Sequence, residues 1–406
     1  MPLAHIFFDH ISTTPLDPRV LEAMMPYLTE WYGNPSSHIH DQGQRAGRAV
    51  DAARAEVARL VNANPQEIVF TSGSTEANNL AIKGAAAACA KKGKHLVVSE
   101  VEHFSVLNAL PSLRNGGYEV TTLSADSDGK VDPDDVRRAI RPDTVLVSVM
   151  HANAEIGTIE PIGEIGRITR EREVLFHTDA TASAGHIPLD VREAGADLVT
   201  LSAHNFYGPK GTGALVVREG VRLDSQIDGG FQEMGFRAGT ENVPGIAGMG
   251  KAAAIASSEM GEWASHLRRL EKRLRDGIAS SVTHLHFTGH PTDRLPGHVS
   301  FWVEYAEGES LLLFLSVHGV MAASGSACSS NLRGHDEEDL VASPVLHAIG
   351  VPDDVCTGSI TFSLGKGNTE EEVDEVLSVL PGIAKRLWEM SPTYLDYEKQ
   401  KVRGGG

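Results

Sequence analysis

Short apolar runs bounded by turn residues alternate with amphipathic stretches along most of the chain. Seven runs have the length and β-branched content of buried strands: EIVFTS, HLVVSE, YEVTTL, TVLVSVMH, VLFHTD, ADLVTLS and GALVVRE. Helical stretches such as EANNLAIKGAAAACAKKG and PIGEIGRITREREV separate most of them. This alternation predicts a largely parallel sheet with helices on both faces. The last two runs are joined too tightly for a helical crossover, which predicts one antiparallel strand.

Helix signals lie on both sides of this strand region. Asp17-Pro18 supplies a cap and a first-turn proline for a helix through VLEAMMPYLTEW, and an amphipathic helix covers roughly Gln44 to Val61. A long charged helix near Glu259, EMGEWASHLRRLEKRLRDGI, marks a domain boundary. The chain after it has the pattern of a smaller α/β unit that ends in the helix EEVDEVLSVLPGIAKRLWEM.

The length of 406 residues favours one large domain and a smaller one. We expect the large domain to cover residues 15–258. The small domain would combine residues 1–14 with residues 259–398 and carry the loop of Cys328. Residues 399–406 form a polar, glycine-rich tail that we expect to be disordered.

Composition limits the cellular compartment and the kinds of partner that we expect for this chain. Hydrophobic residues make up 41% and charged residues 22%, which is ordinary for a globular protein, and the net charge of -18 argues against nucleic acid or an anionic membrane surface as the main partner. No apolar run reaches the roughly 20 residues of a membrane span, and the N-terminus lacks the pattern of a signal peptide. Three cysteines (Cys89, Cys328 and Cys356) are too few for a disulfide framework, so we expect a reducing, cytoplasmic setting.

Several strand ends carry polar residues suited to a ligand. In FTSGSTEANN, Ser72, Ser74 and Thr75 lie at a helix N-terminus, where the dipole favours a phosphate, although serine and threonine there also serve as ordinary caps. His103 and Asp179 follow strands at the edge where ligands collect in open α/β folds. The ring of His103 would either stack on a flat cofactor or lie on the surface as an ordinary polar residue. The carboxylate of Asp179 would either pair with a pyridinium nitrogen or cap a turn.

Nine motifs in order resemble the NifS/IscS-type cysteine desulfurases, which are pyridoxal-phosphate (PLP) enzymes of the class V aminotransferase group. They are DHISTTPLDP, GNPSSHIH, FTSGSTEANNLAIKG, VEHFSVL, HANAEIGTI, HTDATASAG, SAHNFYGPKGTGALVV, FRAGTEN and SGSACSS. The resemblance extends from about Phe7 to about Ser391. It implies the PLP-dependent transferase fold of type I, an α/β fold with a large domain built on a mostly parallel mixed sheet and a smaller α/β domain.

The resemblance also implies a PLP site and a sulfur-carrying cysteine. The cofactor phosphate would be held by groups of the same subunit: Ser74, Thr75, Ser202 and His204. Thr240 would reach the phosphate from the partner subunit, which implies a homodimer. His103 would stack on the ring and act in catalysis, and Asp179 would pair with the ring nitrogen. Cys328 matches the cysteine that attacks the substrate sulfur and carries it as a persulfide.

Four positions depart from the family pattern. Asn205 replaces the lysine that bonds covalently to PLP, and Thr361 replaces the arginine that clamps the substrate carboxylate. Ala154 and Ala182 replace an asparagine and a glutamine that contact the cofactor ring. An asparagine amide is neither a nucleophile nor a base, and losing a positioned acid–base group costs about 10²- to 10⁴-fold in rate. Lys210 is no substitute, because the family has this lysine in addition to the covalent one.

The motif around Cys328, SGSACSS, matches the family pattern. Cys328 lies among small residues typical of an accessible loop, where a thiolate can accept sulfur or serve as a transient ligand of an iron–sulfur cluster. Cys89 and Cys356 have the surroundings of structural cysteines. No helical HxH or HExxH spacing indicates a separate metal site.

Three functions therefore stay open. In the first, the chain carries sulfur or assembles iron–sulfur clusters through Cys328, passing sulfur to an IscU-like scaffold or another acceptor protein, with its own PLP chemistry impaired. In the second, it is an enzyme, a desulfurase or a relative, that holds PLP or its amine form non-covalently. In the third, it is an inert structural subunit.

Overall fold

Two helices precede the central sheet, as the sequence predicts. The computed structural model describes residues 5–325, 343–352 and 359–404. After a short strand, β1 (Ile6–Phe7), the chain forms α1 (Pro18–Thr29) and α2 (Asp41–Leu60). The carboxylate of Asp17 accepts the N–H of Arg19 at 2.9 Å and Pro18 lies in the first turn, so the predicted cap of α1 is confirmed.

All seven predicted strands belong to one sheet. They are β2 (Ile68–Thr71), β3 (His95–Ser99), β4 (Glu119–Leu123), β5 (Thr144–Ser148), β6 (Leu175–Asp179), β7 (Leu198–Ser202) and β8 (Gly213–Val217). In the described residues their order across the sheet is β2-β8-β7-β6-β5-β3-β4. Strand β8 runs antiparallel to both β7 and β2, and the other pairs are parallel. The predicted antiparallel strand is confirmed, and every strand except β8 ends at the same edge.

Helices cover both faces of this sheet. Those that follow β2 and β3 are α3 (Ser74–Asn79), α4 (Ala85–Ala88), α5 (Phe104–Leu107) and α6 (Leu110–Asn115), with a π-helical turn at Leu80–Gly84 between α3 and α4. Later come α7 (Pro133–Ala139), α8 (Ile162–Glu171) and α9 (Val243–Ser281). In β3, Val97 packs into one core, whereas Leu96 and Val98 pack into the core on the other face. This two-sided burial confirms the predicted mostly parallel α/β sheet.

The C-terminal part forms a second, smaller core. Its elements are β9 (Leu285–Phe287), β10 (His298–Val303), α10 (Gly308–Val317), β11 (Val320–Met321), α11 (Pro344–Ala348), β12 (Ser359–Ser363), α12 (Glu370–Met390) and α13 (Pro392–Gly404). Strands β12, β10 and β9 form an antiparallel sheet, and β1 pairs with β11. Ile6 and Phe8 lie in the same core as Phe301 and Phe362, so the N-terminal segment packs with the smaller unit.

Helix α9 joins the two cores. It runs unbroken for 39 residues, so the expected boundary near Glu259 falls inside a continuous helix. Its first half contributes Ile246 and Met249 to the core of the large sheet, and its second half contributes Leu270 and Leu274 to the smaller core. No helix in the described ranges is long and apolar enough to cross a membrane.

The C-terminal helix differs from the disorder expected for residues 399–406. Helix α13 continues to Gly404. The ring of Tyr397 stacks on Tyr305 at 5.4 Å and also lies 5.3 Å from His284. These aromatic contacts anchor the helix to the smaller unit, and a tail defined by its polar composition gave no sign of them.

The loop after β5 is held by the smaller unit through three successive carbonyl groups. Nε2 of His298 lies 3.0 Å from the carbonyl oxygen of Ala154, Oγ1 of Thr361 donates to that of Glu155 at 3.0 Å, and Nη2 of Arg294 donates to that of Ile156 at 3.4 Å. We call these three carbonyls and their partners the seam. The seam residues are largely buried, so water cannot replace a hydrogen bond that is lost there. Loss of one of these bonds would leave a buried polar group without a partner and would destabilise the fold.

We predict that Thr361→Val weakens the seam. Valine keeps the shape of threonine but leaves the carbonyl of Glu155 without this donor, so stability should fall by about 1–3 kcal/mol. Urea unfolding followed by intrinsic fluorescence measures the change. Thr122→Val, the same substitution at an exposed position of β4, is the matched control and should change stability by less than about 0.5 kcal/mol. Equal stability of Thr361→Val and the unaltered protein would contradict the role of this bond.

Candidate active site

The parallel strands end beside the residues that the sequence predicts for a cofactor site. Ser74 and Thr75 follow β2, His103 follows β3, Asp179 ends β6 and Ser202 ends β7. Thr71 and Ser202 both pair with Gly213 of β8, so the ends of β2 and β7 lie on either side of this one residue. The fold therefore brings the predicted phosphate and ring contacts to one edge of the sheet.

Two glycines shape the turn before α3. Gly73 has φ 154° and ψ -179°, a conformation that essentially only glycine adopts. A Cβ atom on Gly213 would lie 2.7 Å from the Cα of Gly73, so position 213 must be glycine for the turn to approach β8 this closely. As the N-cap, Gly73 has no side chain to cover the first-turn N–H groups of α3, which stay available for an anion.

A buried hydroxyl group lies near this turn. Ser202 is 1% exposed, and its Oγ has no hydrogen-bond partner among the described residues. His204 lies two residues further on, with Nδ1 3.2 Å from Oγ1 of Thr13; burial and the charge of Lys210 lower its pKa. A buried hydroxyl without a partner costs free energy, and a phosphate oxygen would satisfy it. These residues fit the phosphate of PLP.

The ring-nitrogen end is a buried carboxylate fixed by two donors. Asp179 is 5% exposed; its Oδ2 accepts from Nδ2 of Asn78 at 2.7 Å, and its Oδ1 accepts from the N–H of Thr181 at 2.9 Å. The same amide group of Asn78 donates to Oγ of Ser105 at 2.8 Å. Both carboxylate oxygens act as acceptors, an arrangement that fits a protonated ring nitrogen as a further donor.

His103 is oriented by the same network. It is the N-cap of α5; its Nδ1 accepts the N–H of Ser105 at 3.1 Å and lies 2.7 Å from the hydroxyl of Ser105. Asn78 thus connects the histidine to Asp179 through one serine. The half-buried ring lines a pocket with Ala154 and Val345, and its stacking on a cofactor ring stays a prediction.

Thr240 lies on the surface of the single chain. It is exposed and lines a shallow pocket with Ser72, Gly211 and Arg237 near the turn before α3. Its reach toward the phosphate of a partner subunit stays a prediction.

Asn205 occupies the position of the family lysine and makes a structural bond. It lies in a 3₁₀ turn, Ala203–Phe206, and is 5% exposed. Its Nδ2 donates to the carbonyl oxygen of Ile11 at 3.0 Å, and Nε2 of His186 lies 2.7 Å from its backbone oxygen. The side chain thus ties the end of the large sheet to the N-terminal segment, and no amine is present at this position.

The two alanine departures lie in one apolar cluster. Ala182 packs with Ala152, Ile187 and Leu295, and both Ala154 and Ile11 pack against this group. The family's polar ring contacts are therefore replaced by a small hydrophobic patch. Ile11, the residue whose carbonyl accepts from Asn205, belongs to the same patch.

Thr361, the fourth departure, also makes a structural contact. Thr361 lies in β12 and is 0% exposed. Its hydroxyl donates a hydrogen bond to the carbonyl of Glu155 in the seam. A threonine held in this way offers no charged, two-pronged contact to a carboxylate. The four departures thus all serve packing between the large sheet and the smaller unit.

Of the cysteines, only Cys89 falls within the described ranges; Cys328 and Cys356 lie outside them. Cys89 ends α4 and packs against the core on one face of the large sheet. Burial raises the pKa of its thiol, as expected for an inert structural cysteine.

The sequence reasoning missed Asn78 and the buried acids. Asn78 follows Ser74 by four residues and neighbours the buried Ala77, so helical spacing could have shown that it faces inward. Glu155 and Glu160 are buried, and burial raises the pKa of each to about 7. Glutamate is usually exposed, so one sequence gave no sign that these carboxyl groups are buried.

Known proteins are similar to this chain over nearly its whole length. Residues 6–376 match the aminotransferase class-V family. The chain is 48% identical to "Cysteine desulfurase IscS" of Methanosarcina thermophila over 387 residues, 95% of this chain and 94% of that protein. It is 49% identical to "Cysteine desulfurase IscS 1" of Archaeoglobus fulgidus over 388 residues, 96% of this chain and 99% of that protein.

A solved structure described as a NifS-like protein superposes with a TM-score of 0.86 at 35% identity, covering 94% of this chain and 99% of the other. Matches of this extent in sequence and in structure confirm the resemblance drawn from the motifs. The chain belongs to the class-V aminotransferase family, among its IscS/NifS-type cysteine desulfurases.

Proposed function

We propose that this chain works in sulfur mobilisation as a carrier or iron–sulfur assembly component, using Cys328, and that it has lost the covalent PLP chemistry of its family. The observation that carries this proposal is Asn205, whose amide stands in the lysine position and donates to Ile11. An amide nitrogen has a delocalised lone pair, so it neither bonds to an aldehyde carbon nor removes a substrate proton.

The remaining residues fit the phosphate and the ring of PLP, but they do not fit a covalent link to it. Ser74, Thr75, Ser202 and His204 would hold its phosphate, while His103 and Asp179 would hold its ring. When bound, the cofactor would supply an electron sink for chemistry at the amino-acid α-carbon. Position 205 does not fit a covalent link.

Loss of the carboxylate clamp supports the same conclusion. Thr361 is buried and bonded within the seam, so an amino-acid substrate would lack its oriented cationic partner. The chain has neither the lysine that would bond to the cofactor nor the arginine that would bind the substrate carboxylate. Free cysteine is therefore a poor sulfur source for it. A persulfide made elsewhere is a source that needs neither attachment.

Sulfur transfer to Cys328 from a persulfide balances without an oxidant. The Cys328 thiolate attacks the outer sulfur of the donor persulfide, a new S–S bond forms, and the donor leaves as a thiolate. The reverse step delivers the sulfur to an acceptor, for which we propose an IscU-like scaffold. As an alternative use of the same group, the thiolate would ligate an iron–sulfur cluster during assembly. We propose a homodimer, with Thr240 completing the partner's phosphate site.

We predict that Cys328→Ala abolishes sulfur loading. After incubation with a low-molecular-weight persulfide, peptide mass spectrometry should find the extra sulfur on the Cys328 peptide of the unaltered protein. Cys89→Ala is the matched control and should load fully, because that thiol is partly buried with a raised pKa. Loading that survives Cys328→Ala, or iron–sulfur maturation of an acceptor that is unaffected by it, would contradict the carrier role.

We predict that Asn205→Lys restores covalent binding but little desulfuration. After incubation with PLP and reduction by borohydride, the peptide containing residue 205 should carry the cofactor mass. Sulfide release from cysteine should stay low because Thr361 and the apolar patch are unchanged. The double variant Asn205→Lys/Lys210→Ala is the control and should keep the adduct. A reduced adduct on Lys210 of the unaltered protein would show that another lysine has taken over.

A second function, an enzyme with non-covalent PLP, is favoured by one observation: the unpartnered hydroxyl of Ser202 beside an intact Asp179 network. It predicts sulfide and alanine release from cysteine by the unaltered protein under saturating PLP. If that release is absent while Cys328 still loads from a persulfide, the carrier function stands alone.

A further inference from the structure

Glu102 is a buried carboxyl group, next to His103, for which the site described above has no use. It is 3% exposed, and its Oε1 accepts the N–H of Met150 at 2.6 Å. Its Oε2 has no hydrogen-bond partner among the described residues. An isolated buried carboxylate is costly in free energy, so its protonation state requires a physical reason.

The charged groups that face Glu102 are both acids. Asp179 faces it from the end of β6 and Glu160 from the loop after β5. The consecutive amides of Met150 and His151 donate to the carboxyl oxygen of Glu102 and to the backbone oxygen of Asp179, at 2.6 and 2.9 Å, so both residues are held by the same short segment after β5.

The imidazoles of His151 and His177 supply no positive charge at neutral pH. Burial lowers the pKa of His151 to about 4, and burial likewise lowers that of His177 to about 4 despite the nearby charge of Asp179. Among the residues that the structure describes, the charges that act on Glu102 are those of acids, and no cation offsets them.

The hydrogen bonds decide which of the two acids is charged. Asp179 receives two N–H donors on two different oxygens, from Asn78 and from Thr181, whereas Glu102 receives one. Donors stabilise the ionised form of a carboxyl group, and Glu102 has only one of them, so the proton belongs on Glu102. Burial first, and the charge of Asp179 second, raise the pKa of Glu102 well above its ordinary value.

We propose that Glu102 is a positioning residue that keeps a proton and so reserves the negative charge of the pair for Asp179, where a protonated aromatic nitrogen would bind. The role does not depend on Cys328, and it would survive failure of the sulfur-carrying proposal. It explains why a carboxyl group with one unpartnered oxygen is held beside the ring-nitrogen contact.

The test is the pH dependence of thermal unfolding for Glu102→Gln. Folded Glu102 keeps its proton where the unfolded chain has lost it, so this group destabilises the fold as pH rises above about 4.5. Glutamine has the same shape and cannot ionise. The melting temperature of Glu102→Gln relative to the unaltered protein should therefore rise between pH 5 and pH 9, by about 2 °C or more.

Two controls separate this role from a merely structural one. Glu164→Gln, at an exposed position of α8, should give a difference that does not change with pH. In an Asp179→Asn background the rise for Glu102→Gln should shrink, because the charge that opposes ionisation of Glu102 is gone. Glu102→Leu, a second neutral variant, should show the same rise even if its melting temperature is lower throughout.

The proposal is overturned if Glu102→Gln follows the unaltered protein at every pH, which would mean that Glu102 is ionised in the fold. It is also overturned if the rise persists undiminished in the Asp179→Asn background. None of these measurements involves sulfur or Cys328, so failure here and failure of the carrier role are distinguishable.

Discussion

The hydrogen bond from Asn205 to the carbonyl of Ile11 is the contact on which the rest of this account depends. It fills the one position that the family uses for covalent chemistry with a bond that joins the large sheet to the N-terminal segment. Ile11 packs against the apolar patch that contains Ala182 and includes Ala154 at its margin. The next residue, Glu155, accepts from Thr361. Four substitutions scattered in sequence thus meet along one packed region.

This arrangement separates two parts of an ancestral site. The phosphate turn, His103 and Asp179 keep their geometry because the sheet edge and the Asn78 network hold them. At the positions where the resemblance implies the covalent lysine and the substrate clamp, Asn205 and Thr361 make structural hydrogen bonds. These contacts are the reason for our proposal that the chain carries sulfur rather than releasing it from cysteine.

The sequence predicted the strands, the antiparallel β8 and the residues at the strand ends, because period-two burial and turn residues are local signals. The four departures from the family pattern rest on the motifs alone and stay predictions. The sequence did not predict what those residues do instead: the partners of Asn205 and Thr361 lie 194 and 206 positions away in the chain. The burial of Glu102 and the helical tail to Gly404 were missed for the same reason, since distant contacts create them.

The central claim is that position 205 forms no covalent bond to a cofactor. Native and denaturing mass spectra of the purified, PLP-treated protein test it most directly. We predict that any PLP mass seen in the native spectrum disappears completely on denaturation, even when the protein is first reduced with borohydride. A PLP mass that survives denaturation after borohydride reduction, on a lysine lining the site, would contradict it.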